Sequence, residues 1–318
     1  MERAILNRFR QIKKLIGNTP LVQIFYRFHG KKCSMFAKLE WYNLTGSIKD
    51  RVAYQIMFDA YNEGVITQKS KVYEITSGNM GISIAGICNL LGNECEIIMP
   101  KSMSEERKKL IKLYGAKLTL VDDFKQGFML SEQLEKQGKF FAHQFENQSN
   151  FKAHYNFTAK EIYKKLKGKK INQFVAGVGT SGTLMGVGAY LKEHSKCQVV
   201  GIEPENARIL TNKCPFSHHK IQGLSDQKLP ELYDKNLVDK VIQIRDEDAI
   251  KMAQKLCQTF SLGVGISSGA NFLGCVLKGD RSVTTFADDN KKYLSTDLSS
   301  NVNSLLVDEI ELIDIKVL

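Results

Sequence analysis

Residues 71–100 read KVYEITSGNMGISIAGICNLLGNECEIIMP, and they contain one complete structural unit. KVYEIT (71–76) is a short apolar run rich in β-formers, a glycine-containing turn follows, residues Asn79 to Leu91 carry apolar side chains at helical spacing, and CEIIMP (95–100) is a second short apolar run. Two strands joined by a helix form a β-α-β unit, and the crossover makes the strands parallel. The same rhythm extends in both directions. FAKLE (36–40) precedes a helical run from Lys49 to about Glu63, and a helix over Ser104 to Tyr114 precedes KLTLV (117–121). A second set follows: QFVAGVG (173–179), a helix from about Gly182 to Glu193, QVVGIEP (198–204), VIQIRDEDAIKMAQKLC (241–257) and SVTTFADD (282–289). The expected fold class is α/β, with two doubly wound three-layer units. Residues 204–235, with Pro204, Pro215 and Pro230, read as a long irregular connection.

Composition narrows the function classes. The chain has 318 residues, 43% of them hydrophobic and 25% charged, with 24 Gly and 5 Pro, so disordered, collagen-like and low-complexity classes are excluded. No apolar run approaches the roughly 18 residues that a spanning helix requires, and MERAILNRFRQIKKLIG lacks a signal-peptide core, so the expectation is a cytoplasmic protein without a membrane partner. The net charge is +11, but its densest run, KKLKGKK (164–170), has no interleaved aromatics and reads as a solvated helix end, so no nucleic-acid partner is expected. Seven scattered cysteines without any C-x-x-C fit buried thiols rather than disulfides or a metal site.

Four strand-to-helix turns carry the chemistry. Gly177-Val-Gly179-Thr180-Ser181-Gly182 matches G-x-G-x-x-G, and Glu203 lies where the ribose-binding acid of a dinucleotide site would stand. The same turn, with hydroxyls at Thr180, Ser181 and Thr183, suits a phosphate monoester equally well, and plain strand-helix packing is the third option. Thr76-Ser77-Gly78-Asn79-Met80-Gly81 offers donors for a carboxylate, or serves only as a capping turn. Asn43-Leu-Thr-Gly-Ser-Ile-Lys49-Asp-Arg51 puts a lysine at a helix start, where the dipole disfavours its charge; a neutral lysine is what Schiff-base chemistry needs, while a surface lysine is the plainer alternative. Gly263 to Ala270 makes a fourth such turn, and all four would converge at one sheet edge or cleft.

Taken together the chain resembles the fold-type II pyridoxal-phosphate enzymes, specifically the cysteine synthase and cystathionine β-synthase group. The matching pieces are Ile16 to Val22, Gly46 to Arg51, Thr76 to Asn79, Met103 to Arg107, Gln144-Phe145, Gly177 to Thr183, Gly201 to Pro204, Ile221 to Gly223, Gly265 to Ala270 and Lys292 to Thr296. The resemblance implies a tryptophan synthase β-like fold with pyridoxal 5'-phosphate in the cleft between two domains. The large domain would comprise 1–38 with 146–318, the mobile small domain 39–145, and the chain would form a homodimer. By the same resemblance Lys49 forms the internal aldimine and moves the α-proton, Asn79 meets the cofactor's 3'-oxygen, and Gly179, Thr180, Ser181, Gly182 and Thr183 hold its phosphate. Ser267 would face the pyridine nitrogen, and a hydroxyl there steers the cofactor toward β-elimination. Thr76, Ser77 and Gln144 would bind the carboxylate of an amino-acid substrate, beside Met80 and Gly223.

The chain departs from that pattern in places. Leu224-Ser225-Asp226-Gln227-Lys228 replaces a small, Gly/Ala-rich turn after Gly223, Met80 stands where Thr is usual, and Leu44 where Pro is usual. Asp226 either activates water as a general base, making cysteine lose sulfide and yield serine or pyruvate, or is a solvent-facing loop residue. The resulting expectation is β-replacement or β-elimination on cysteine or an O-activated serine through an aminoacrylate, with sulfide as nucleophile or leaving group. A serine/threonine dehydratase and a non-catalytic binding member of the family are the alternatives. The tail from Val307 to Leu318 alternates like a strand that covers either an edge or a dimer partner.

Overall fold

The computed structural model describes residues 1–211, 218–225 and 229–318. Strands β1 (Leu21–Phe28), β2 (Lys31–Leu39), β7 (Gln173–Gly177), β8 (Gln198–Pro204), β9 (Lys240–Ile244), β10 (Ser282–Phe286) and β11 (Ile310–Val317) form a seven-stranded sheet in the order β11-β1-β2-β10-β7-β8-β9. Strands β3 (Val72–Ile75), β4 (Cys95–Pro100), β5 (Lys117–Val121) and β6 (Phe140–Phe141) form a second, wholly parallel sheet in the order β5-β4-β3-β6. Around them lie α1 (Arg3–Lys13), α2 (Lys49–Asn62), α3 (Asn79–Leu91), α4 (Glu105–Leu113), α5 (Phe124–Glu135), α6 (Gln148–Ala153), α7 (Ala159–Lys165), α8 (Gly182–His194), α9 (Asp246–Phe260), α10 (Ile266–Lys278) and the short α11 (Leu305–Asp308).

The β-α-β unit of residues 71–100 is β3-α3-β4, with α3 and β4 at the expected bounds. Two features differ from the sequence expectation. The large sheet is mixed, because β1 and β2 form an antiparallel hairpin whose two-residue turn, His29-Gly30, has φ of 48° and 74°. Positive φ at both positions is the turn geometry that matches strand twist, and an alternating strand beside a short turn is easily missed when crossovers dominate the pattern. The tail β11 then pairs antiparallel with β1 and covers that edge, as the alternation suggested. Helix α5, capped by the Asp123 carboxylate accepting from the Gln126 N–H, was not anticipated.

Helix α1 buries Ile5, Phe9 and Ile12 against α2 and α3, with the Phe9 ring edge-on to Tyr54, Phe58 and Tyr61. Of the six described cysteines four are buried, and all six are free thiols.

A buried charge cluster ties the two layers together. Arg51, in the first turn of α2 and 1% exposed, forks to Glu40 (Nε–Oε2 2.6 Å, Nη2–Oε1 3.0 Å) and to Glu161 on α7 (both 2.8 Å). Lys38 at the end of β2 reaches Glu161 at 2.8 Å and donates to the Thr19 carbonyl and hydroxyl. Burial alone would raise the Glu161 carboxyl, but the Arg51 fork and Lys38 outweigh it and hold it down at about 2. Its ordinary value is 4.5, so the depressed group contributes stability that is complete above about pH 5 and is lost as pH falls toward 2. Glu161→Gln is therefore expected to cost about 3 kcal/mol at neutral pH, since a buried cation loses a partner. The stability gap between wild type and variant, read from urea unfolding, should shrink steadily between pH 5 and pH 2. A gap independent of pH would show that the carboxylate charge plays no part.

Candidate active site

Four helices start around one cleft. Lys49 is the first residue of α2, Asn79 of α3, and Gly182 of α8, while Ser267 is the second residue of α10. These starts lie at the C-terminal ends of the strands, where helix dipoles and open N–H groups favour an anion. The cleft is lined by Lys49, Thr76, Ser77, Asn79, Met80, Gln144, Gly179, Thr180, Ser181, Thr183, Gly223 and Ser267. Gly182 lies just behind this wall, against Asn150, where a Cβ would fall 1.9 Å from Oδ1. Asp226 lies outside the described residues.

Close backbone approach shapes the phosphate-type turn. Ser181 is held at φ 68°, and a Cβ on Gly179 would stand 2.1 Å from the Gly223 carbonyl oxygen. The 221–225 loop folds over the turn, with the Ser225 N–H donating to the Val178 carbonyl at 2.9 Å. From below, Asn271 accepts from the Gly177 N–H (2.8 Å) and donates to the Thr285 carbonyl (2.8 Å). The Lys49 ammonium lies 3.3 Å from the Thr180 hydroxyl, which also accepts from Asn150 at 2.9 Å.

Several buried polar atoms have no hydrogen-bond partner among the described residues. They include the Ser181 hydroxyl and the Asn79 side-chain oxygen. Stranded polar atoms in a glycine-lined cradle are costly unless a ligand satisfies them, and a phosphate bearing an aromatic ring with its own oxygen and nitrogen matches that need. Pyridoxal 5'-phosphate fits: Thr180, Ser181 and Thr183 suit the phosphate, Asn79 a ring oxygen, Ser267 a ring nitrogen, and Lys49 the aldehyde carbon.

Glu203 does not serve a ribose. It is fully buried and accepts from the Leu210 N–H (2.8 Å), the Thr211 hydroxyl (2.6 Å) and the Gln243 amide (2.8 Å). His154, which shares a hydrogen bond with Thr183 (3.2 Å) and another with Thr158 (3.1 Å), is pushed well below its ordinary value by burial and by the charge of Lys49, so it is neutral. Behind Gln144, burial raises the Glu74 carboxyl to about 8 despite its hydrogen bond to Gln144, making it a proton-bearing acid at neutral pH.

The sequence reading missed Arg107 and Asp288 as parts of the site. Arg107 lines the cleft, and Asp288 accepts from the Asn79 amide at 2.7 Å. Arg107 stood inside a recognised segment, MSEER, without a role, and Asp288 inside ADDN after β10; neither has a local pattern that reports a partner far along the chain.

A lysine at a helix start, facing a glycine-lined anion cradle between two α/β layers, is the arrangement of the fold-type II pyridoxal-phosphate enzymes. Residues 12–288 match the model of the pyridoxal-phosphate dependent enzyme family, and the chain belongs to it. It is 41% identical to cysteine synthase B of Campylobacter jejuni over 301 residues, covering 91% of this chain and 98% of that one. Among solved structures it is similar to a hydrogen sulfide-producing enzyme from Fusobacterium nucleatum, with a TM-score of 0.92, 38% identity, and coverage of 98% of this chain and 99% of the other. An Asp-to-Asn variant of a hydrogen sulfide-producing enzyme, complexed with an α-aminoacrylate intermediate, gives a TM-score of 0.94 at 39% identity with the same coverage. The chain is thus a pyridoxal-phosphate-dependent, cysteine synthase-like enzyme of β-replacement or β-elimination, acting on an amino acid. No described helix is long and apolar enough to cross a membrane.

Gly179→Ala is expected to weaken cofactor binding by roughly tenfold or more, because overpacking of this kind costs about 1–3 kcal/mol. Titration of visible absorbance checks it, and wild-type affinity in the variant would show that this turn does not hold the cofactor. Borohydride reduction of the loaded protein, followed by peptide mapping, should place the pyridoxyl label on Lys49. A label on another lysine would reassign that role.

Proposed function

We propose that this enzyme takes sulfide from L-cysteine and replaces it with water, giving L-serine. The observation that carries this reading is the presence of Asp226 three residues beyond Gly223, in a chain matching a hydrogen sulfide-producing enzyme along 98% of its length. The captured aminoacrylate in an Asp-to-Asn variant of such an enzyme is the outcome expected where an aspartate delivers the water.

The roles follow from the cleft. Thr76, Ser77 and Gln144 would hold the substrate carboxylate at the start of α3, whose dipole favours an anion. Lys49 would anchor the cofactor and, as a free amine, would accept the α-proton of the substrate. The cofactor, when bound, supplies an electron sink that stabilises charge at Cα, so that a β-substituent leaves and a nucleophile adds at Cβ. Gly179 to Thr183 would hold its phosphate, Asn79 and Ser267 its ring. Met80, 1% exposed, and Leu224, 4% exposed, would give the Cβ end of the cleft an apolar wall. The C–S bond would break first, as Lys49 takes the α-proton and sulfide leaves as hydrosulfide; Asp226 would then take a proton from water as the C–O bond forms at Cβ, Lys49 would return its proton to Cα, and the proton on Asp226 would leave with the hydrosulfide. The balance is cysteine plus water to serine plus hydrogen sulfide, with no oxidant. Closure of the mobile unit 39–145 over 1–38 with 146–318 would exclude other nucleophiles, with α1 carried on α2 and α3.

Incubation with cysteine alone should release sulfide and serine in equal amounts. Asp226→Asn should leave the loss of sulfide in the first turnover nearly intact and lower serine production by about a hundredfold, the lower range of general-base assistance. Rapid-scan spectra follow the first step and amino-acid analysis the second. Efficient cysteine formation from O-acetylserine and sulfide, with no sulfide released from cysteine, would instead establish the synthase direction.

A further inference from the structure

Arg107 crosses the cleft. It leaves α4, on the four-stranded layer, passes over Gly78 and hydrogen-bonds the Gln222 side chain in the loop that covers the Gly179 turn. A Cβ on Gly78 would stand 2.0 Å from the Arg107 Cδ, so only glycine leaves room for this path. The guanidinium is almost wholly buried, stacks 4.4 Å from the Tyr293 ring centroid and faces the Asp288 carboxylate at 3.9 Å. A second pair of contacts docks the same helix: the Ser104 hydroxyl donates to the Lys292 carbonyl (2.9 Å), and Glu106 accepts from the Ser295 N–H (2.9 Å) and hydroxyl (2.6 Å).

Asp288 connects this cation to the cofactor side of the cleft. Its Oδ2 accepts from the Asn79 amide (2.7 Å) and the Tyr293 hydroxyl (2.8 Å), and its side chain is fully buried. The same carboxyl oxygen accepts both bonds. It therefore dictates which end of the Asn79 amide turns toward it and which is left for the ligand.

We propose that Arg107 is a positioning residue: through Asp288 it sets the orientation of Asn79, and through Gln222 it holds the 221–225 loop over the phosphate turn, so that the cleft is complete only with α4 docked. This rests on Asn79 being a cofactor partner. Its consequence is that the four-stranded layer reports its docking to the cofactor even before substrate binds.

The test uses the loaded enzyme. Arg107→Lys keeps the charge but loses the planar guanidinium that reaches both Gln222 and Asp288, and Arg107→Met removes both charge and donors; the Lys variant serves alone if the Met variant fails to fold. Both should shift the visible absorption band of the resting cofactor and raise the KM for the amino acid roughly tenfold, with a smaller change in kcat, as expected for coupled groups. In an Asn79→Ala background the Arg107 substitutions should produce a much smaller spectral shift, the part that acts through Gln222 and the 221–225 loop. An unshifted band and unchanged KM in fully loaded variants would overturn the proposal, and so would an additive shift in the Asn79→Ala background. Should Asn79→Ala alone leave the band untouched, it is the cofactor role of Asn79 that fails. Sulfide release by the wild type is measured separately and bears on neither result.

Discussion

The bidentate fork of Arg51 onto Glu40 and Glu161 is the constraint on which the geometry of the cleft depends. Arg51 stands two residues after Lys49, so whatever fixes its guanidinium fixes the start of α2 and the lysine with it. The partners come from opposite sides: Glu40 follows β2, and Glu161 belongs to α7. Charges at this depth are held only because each is answered by another, and loss of one leaves its neighbours unpaired in a poorly solvating interior. Thr19 completes the shell, donating to Glu40 at 2.7 Å and receiving Lys38, which draws in the segment before β1. Asp50 adds a second brace to the same helix start, accepting from the Thr45 N–H at 2.8 Å and from its hydroxyl. The result is a lysine whose position is determined by residues from four separate stretches of chain.

Around this fixed point the ligand surface is made largely of backbone. Where Gly179 meets the Gly223 carbonyl and Gly78 meets Arg107, a single methyl group would occupy space that another atom already fills. Helix starts provide N–H groups without requiring charged side chains, which suits a cofactor whose phosphate is dianionic and whose ring must stay electronically adjustable. The two arginines near it are each answered by an acid: Arg107 by Asp288, and Arg51 by two glutamates.

Local pattern made part of this legible. The β3-α3-β4 unit could be read because apolar periodicity, a glycine turn and a second apolar run all lie within residues 71–100, and each is a short-range signal. The turns that meet in the cleft were legible as strand-to-helix junctions for the same reason, and the cleft lining includes residues from all four. The hairpin β1-β2 was not, since its pattern competes with that of the crossovers, and α5 has only a weak apolar face. The charge cluster was invisible for a different reason: Arg51 and Glu161 are separated by 110 positions, and nothing near either residue reveals that the other is its partner.

Gly177 to Gly182 shows how such ambiguity is resolved by partners rather than by motif. A strand, a glycine turn and a helix start produce the same row of N–H groups whether the anion is a pyrophosphate or a phosphate monoester, so the G-x-G-x-x-G pattern alone cannot discriminate between them. A dinucleotide needs, in addition, an acid free to take a ribose hydroxyl pair. Glu203 occupies that sequence position, but its carboxylate is already engaged by Leu210, Thr211 and Gln243, and its burial leaves no path for a sugar. A lysine stands 3.3 Å from the middle of the turn instead, where a nicotinamide nucleotide would have no use for an amine and a phosphorylated aldehyde would. The chemical identity of the ligand is therefore decided by what lies opposite the glycines, on an α2 helix that is held in place by Arg51.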